Sequence, residues 1–206
     1  MIGVYGGTFN PVHYGHLRTA LEVKDRFQLE QLHLIPCHIP AHRQQPSVAG
    51  ELRWQMLQLA IADTPGLLAD RRELDRAGAS FMVDTLHSLR EEYPQQALLL
   101  FIGADAFAGL PHWHRWQVLF DYAHVVVMTR PAYQLPTLSD FLQQRLVNNS
   151  QQLQQQLGGL LYCQTVTALD ISATAIRQLL NSGGNPQFLL PDAVLDFIRQ
   201  QQLYLS

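Results

Sequence analysis

Two histidines three residues apart, His13 and His16, follow a Gly6-Gly7-Thr8-Phe9 turn near the start of the chain. Glycines let backbone N–H groups come close to an anion, and a helix beginning at Gly15 would bring its dipole to the same place. Imidazoles at i and i+3 can project from one helix face, so this segment can hold a polyphosphate with two side-chain donors. The pair could instead bind a metal, but the segment carries no carboxylate, and such a site would have to recruit His33, His38 or His42. A second cluster, Ile171-Ser172-Ala173-Thr174-Ala175-Ile176-Arg177, lies far along the chain. Ser172 suits a helix N-cap, Thr174 adds a hydroxyl in the first turn, and Arg177 offers a planar fork of donors one turn later. Alone, this is what any capped helix looks like; opposite the histidines it would hold a second phosphate.

The elements that must position these groups follow from apolar spacing. Met1 to Tyr5 reads as a short buried strand ending at Gly6-Gly7, and Gly15 to Phe27 as a helix with Leu17, Ala20, Leu21 and Val23 near one face. Gln31 to Pro36 is a second strand. Cys37 to Gly50, with Pro40 and Pro46, reads as a long functional or lid-like loop without regular structure. Helices are expected over Glu51–Ala62, where Arg53, Met56, Leu57 and Ala60 share a spacing, and over Phe81–Glu92. Strands are expected near Leu67–Leu74, over Ala97–Ile102 and over His124–Met128, with an aromatic and histidine-rich stretch, Leu110 to Trp116, between the last two. The glutamine-rich stretch from Pro136 to Gly159 reads as a solvated helix with Leu142, Leu146, Leu153 and Leu157 as its apolar spots. Leu160–Val166 reads as a last strand, and Ser172–Asn181 and Pro191–Gln202 as closing helices. Alternating strands and helices predict a Rossmann-like α/β fold. Its sheet is doubly wound and parallel, with helices on both faces and a small helical C-terminal part (residues 172–206) within a single domain spanning 1–206; ligands bind beyond the carboxyl ends of such strands.

Composition narrows the function. The 206 residues are 47% hydrophobic and only 15% charged, with a net charge of −3. That balance gives no general attraction for nucleic acid or membrane, so an anionic substrate needs a local cluster. Cys37 and Cys163 form no C-x-x-C or disulfide-dense pattern, as expected in a reducing cytoplasm. No signal peptide is evident, and no apolar run approaches the roughly 20 residues of a bilayer span. A cytosolic globular protein, monomeric or a small homo-oligomer, is expected.

The His13-Tyr14-Gly15-His16 pairing behind its glycine turn resembles the HxGH nucleotidyltransferase superfamily, and Ile171–Arg177 resembles that superfamily's C-terminal phosphate-binding signature, with Ala173 where many relatives keep a hydroxyl. Further stretches resemble bacterial nicotinate-nucleotide adenylyltransferases: Pro40-Ala41-His42-Arg43, Ser80-Phe81-Met82-Val83-Asp84-Thr85-Leu86, Gly103-Ala104-Asp105, Leu110–Trp116 and the tail with Leu203-Tyr204. Asn10 stands where that family commonly has Asp.

The resemblance implies transfer of the adenylyl group of ATP to nicotinate mononucleotide, giving deamido-NAD and pyrophosphate. His13 and His16 would be catalytic. Gly6, Gly7, Thr8, Phe9, His16, His42, Arg43, Gly103, Asp105, Ser172, Thr174 and Arg177 would bind ATP, Asp105 through the ribose. Asp84, Thr85, Trp113, His114 and Arg130 would bind the acceptor, with Trp113 stacked on the pyridine ring and amides around Thr85 and His114 on its carboxylate. Mg²⁺ would be held mainly by substrate phosphates, with no protein metal site. Pantetheine-phosphate adenylyltransferase is the rival enzyme, a nucleotide-binding sensor the rival from another class, and a metal-binding interaction protein a third.

Overall fold

A computed structural model describes residues 1–40, 46–131, 133–167 and 169–205. In chain order the elements are β1 (Ile2–Gly7), α1 (Tyr14–Arg26), β2 (Gln31–Pro36), β3 (Ile39–Pro40), α2 (Gly50–Ile61), β4 (Leu67–Ala69), β5 (Ala79–Ser80), α3 (Met82–Glu92), β6 (Leu98–Gly103), α4 (Ala104–Ala108), α5 (Leu119–Tyr122), β7 (His124–Thr129), α6 (Asp140–Gln143), β8 (Leu146–Val147), β9 (Leu161–Thr165), α7 (Ala173–Asn181) and α8 (Asp192–Gln200). Seven strands form one sheet in the order β4-β2-β1-β6-β7-β9-β8, every pair parallel.

The expected doubly wound α/β fold is what forms. Side chains alternate across each strand, so the apolar run of β6 divides: Leu98, Leu100 and Ile102 enter one core, while Leu99 and Phe101 enter the other. The first core is closed by α3 and α5 and the second by α1, α2, α7 and α8, whose residues Ile176, Leu180, Val194, Leu195 and Ile198 are all buried. From β1 the chain winds outward through β2 and β4, and from β6 the opposite way. The order therefore reverses between β1 and β6, where ligands of such sheets bind. No described helix is long and apolar enough to cross a membrane.

Two expectations need correcting. The stretch after β2 is not wholly irregular: Ile39–Pro40 pairs in parallel with Ala79–Ser80, and the following helix begins at Gly50. The glutamine-rich stretch is not a helix. It breaks into α6, the edge strand β8 and a 3₁₀ turn at Ser150–Gln154. Leu142 joins the core on one face of the sheet and Leu153 the core on the other, so the chain must round the sheet edge between them, which no single helix could do.

Candidate active site

The carboxyl ends of β1 and β6 open into two adjoining cavities that share Tyr5, Gly6, Gly7, Thr8, Gly103 and Asp105 as their common wall. The larger, about 1190 Å³, takes in His13, His16, Arg130 and the start of α7. The smaller, about 450 Å³, is bounded by Phe81, Met82, Trp113 and His114, with Cys37 and Glu73 also on its wall.

His13 is the N-cap of α1, and its Nδ1 accepts the Gly15 N–H at 3.1 Å. That bond occupies the Nδ1 lone pair, so the proton of the neutral ring sits on Nε2. His16 Nδ1 is buried without a partner among the described residues, and placing its proton on Nε2 avoids an unpaired buried N–H. The two rings lie 3.8 Å apart between centroids, tilted by 32°. Burial lowers the His13 pKa to about 4; burial and the neighbouring His13 lower that of His16 to about 3. Both rest neutral, as Nε2 donors. Gly15 is needed for this arrangement, because a Cβ there would stand 2.9 Å from the His13 ring.

The amides of α1 are not free to meet an anion, which differs from the sequence reading. Tyr14 N donates to Leu189 O at 3.0 Å, Gly15 N to His13, and the amides of His16 and Leu17 to His13 O. The free amides belong to the second motif. Ser172 caps α7 by accepting from Ala175 N at 3.1 Å, while the amides of Ala173 and Thr174 find no acceptor among the described residues. Arg177 closes the gap between the two motifs: its Nη1 donates to Asn10 O at 2.7 Å and its Nη2 to Thr174 Oγ1 at 3.2 Å. The far ends of the chain therefore line one cleft. Asn10 is further held by the Tyr204 hydroxyl, which donates to its Oδ1 at 2.6 Å.

Gly6 and Gly7 end β1 rather than follow it. Thr8 and Phe9 lie in the larger cavity, and the Phe9 ring packs edge-on against His16 at 5.1 Å. Asp105, in the first turn of α4, makes no capping bond and leaves its exposed carboxylate at the junction of the cavities. His114 stacks on Phe81 at 4.4 Å, whereas Trp116 packs edge-on against Phe141 at 5.1 Å. Asp84 and Thr85 face neither cavity. Thr85 is fully buried, donating its hydroxyl to Glu73 at 2.7 Å and its amide to Phe81 O at 3.3 Å. The amides of Met82, Val83 and His114 have no acceptor among the described residues. Arg130 lies exposed on the larger cavity and not on the pocket holding Trp113. His42 and Arg43 lie outside the described residues. No group of three or more His, Cys, Asp or Glu is arranged to hold a metal ion among the described residues.

Two buried polar residues were given no role by the sequence reading. Glu73 is 4% exposed, and burial raises its pKa. Arg53 is 1% exposed, and its place among the apolar positions of α2 was the signal that could have revealed it.

A family model described as cytidylyltransferase-like matches residues 4–179. A protein of Methylococcus capsulatus named "Probable nicotinate-nucleotide adenylyltransferase" is 49% identical over 99% of both chains, and one of Cellvibrio japonicus with the same name is 46% identical over 98% of both. The nicotinic acid mononucleotide adenylyltransferase of Plasmodium falciparum, solved with NaAD, superposes with a TM-score of 0.75 at 15% identity, covering 98% of this chain and 96% of that one.

Proposed function

Because the chain belongs to the cytidylyltransferase-like family, and within it to the nicotinate-nucleotide adenylyltransferases, we propose that it transfers the adenylyl group of ATP to nicotinate mononucleotide, releasing pyrophosphate and forming deamido-NAD. The observation that carries this reading is the single cleft. Motifs far apart in the chain line the larger cavity together, and it shares a wall with an aromatic-lined pocket.

ATP occupies the larger cavity. Its phosphates meet the Nε2 donors of His13 and His16 and the free amides of Ala173 and Thr174, with Arg177 beside them. Asp105 accepts from a ribose hydroxyl at the junction. Nicotinate mononucleotide fills the smaller pocket, its ring against Trp113 and its carboxylate toward the open amides of Met82, Val83 and His114.

The acceptor's 5′-phosphate oxygen attacks the α-phosphorus in line, and the bond to the bridging oxygen of pyrophosphate breaks. The attacking oxygen is already anionic, so positioning and charge stabilisation suffice, and no protein nucleophile or base is required. Neutral imidazoles suit this role because they donate without forming a fixed ion pair with the ground-state triphosphate. As charge grows on the leaving oxygens, their donation strengthens. A divalent cation such as Mg²⁺ would be held mainly by the nucleotide's own phosphates, where it would supply charge neutralisation. The cavity lining fits that mode, since Asp105 is the sole carboxylate on the larger cavity among the described residues.

The test is pyrophosphate release from ATP with nicotinate mononucleotide, nicotinamide mononucleotide and phosphopantetheine in parallel. The first acceptor should be the fastest by about tenfold or more, because the amide analogue leaves donors facing an N–H group. Equal rates with the two pyridine nucleotides would remove the specificity, and turnover with phosphopantetheine alone would replace the acceptor.

A further inference from the structure

We propose that Arg53 is a positioning residue for adenylyl transfer: its guanidinium fixes the glycine turn against the chain that leaves β2, and so sets the shape of the wall shared by both substrates. The proposal rests on the function just given.

Arg53 is 1% exposed, yet no carboxylate lies within ion-pair distance of it among the described residues. Its donors go instead to backbone carbonyls of three separate segments. Nη1 donates to Thr8 O and Nη2 to Cys37 O, both at 2.7 Å. Nε donates to Val48 O at 3.1 Å, and Nη2 also approaches His38 O at 3.5 Å. Thr8 lies on both cavities and Cys37 on the smaller one, so one planar group fixes the relative placement of two site segments.

A buried cation without a counter-ion is expensive, and an apolar side chain of similar volume would avoid that desolvation. The charge makes sense where both ligands are anionic phosphates bound beside the same wall. The fork geometry matters as much as the charge. Three carbonyls spread around one plane match a guanidinium, whereas the ammonium of lysine is a point donor.

The experiment compares wild type with Arg53→Lys and Arg53→Met. Melting temperature, kcat, the KM for each substrate and the affinity for a non-hydrolysable ATP analogue would be measured on each. Wild-type turnover in the same assay reports on the proposed function alone, and the ratio of variant to wild type reports on Arg53. Positional error at both substrates predicts KM values raised about tenfold in Arg53→Lys, more in Arg53→Met, and matching loss of analogue affinity. A residue that only stabilises the fold would lower the active fraction, reducing kcat while leaving KM and the analogue affinity of the folded protein unchanged. Unchanged KM values in Arg53→Lys, or activity lost only in step with the unfolded fraction, would overturn the proposal.

Discussion

The two ends of the parallel sheet are stitched by the same device to opposite effect. At the amino end, Arg90 donates to the carbonyls of Tyr93 and Gln96 through Nη1, and to those of Tyr122 and Leu157 through Nη2. His124 beside it is fully buried with both ring nitrogens bonded, to Gln156 O and Leu160 N. Both Nη groups of Arg90 and both ring nitrogens of His124 are spent on the fold. At the carboxyl end Arg53 binds carbonyls in the same way, but the groups around it are left with capacity to spare: two Nε2 donors, the amides that open α7, and the carboxylate of Asp105. A fold is stabilised by satisfying its polar groups, and a site is made by leaving a few of them unsatisfied and aimed at one space.

The sharpest way to break this contrast is at its most reactive point. His16→Ala should lower kcat by about 10²–10³ with little change in melting temperature, since its Nδ1 supports nothing in the fold. Near-normal pyrophosphate release would contradict the role given to the imidazole. Arg90→Met should do the reverse. Four carbonyls lose their donor, and denaturant titration should show about 2 kcal/mol less stability with both KM values unchanged. A change in KM there would erase the distinction between the ends. Trp113→Ala should raise the acceptor KM about tenfold and leave the ATP KM alone; steady-state kinetics varying each substrate would expose a Trp that merely packs.

The remaining effect is on pH. His13 and His16 have folded pKa values of about 4 and 3, below the unfolded value of about 6.5, and His124 is also lowered by burial. The unfolded chain therefore binds more protons below that value, and stability should fall as pH drops from about 6.5 toward 3. His124→Asn should flatten that fall without altering kcat, which thermal melts across the pH range would show.

Much of this was legible from local pattern. β2 matches its expected limits, and the divided apolar run of β6 could not be mistaken. Both motifs open helices on the larger cavity, as their residue types implied, although no amide of α1 is left free there. What escaped the sequence depends on contacts between distant segments. The pairing of Ile39–Pro40 with Ala79–Ser80 has no local period, and the capture of Tyr14 N by Leu189 O removed an amide expected to be free. Leucines between 142 and 157 kept a spacing compatible with a helix while serving cores on opposite faces. Arg53 sat in an apolar stripe, where its charge should have asked which carbonyls it served.

Arg177 and Tyr204 reach Asn10 across 167 and 194 residues, so the nucleotide cleft is closed by side chains from the far end of the polypeptide. Contacts of such sequence separation come late in folding. A nascent chain still threaded through the ribosome can complete β1 and its imidazole pair well before the clasp on Asn10 exists. Order of synthesis therefore places every strand of the sheet ahead of the clasp that shapes the cleft.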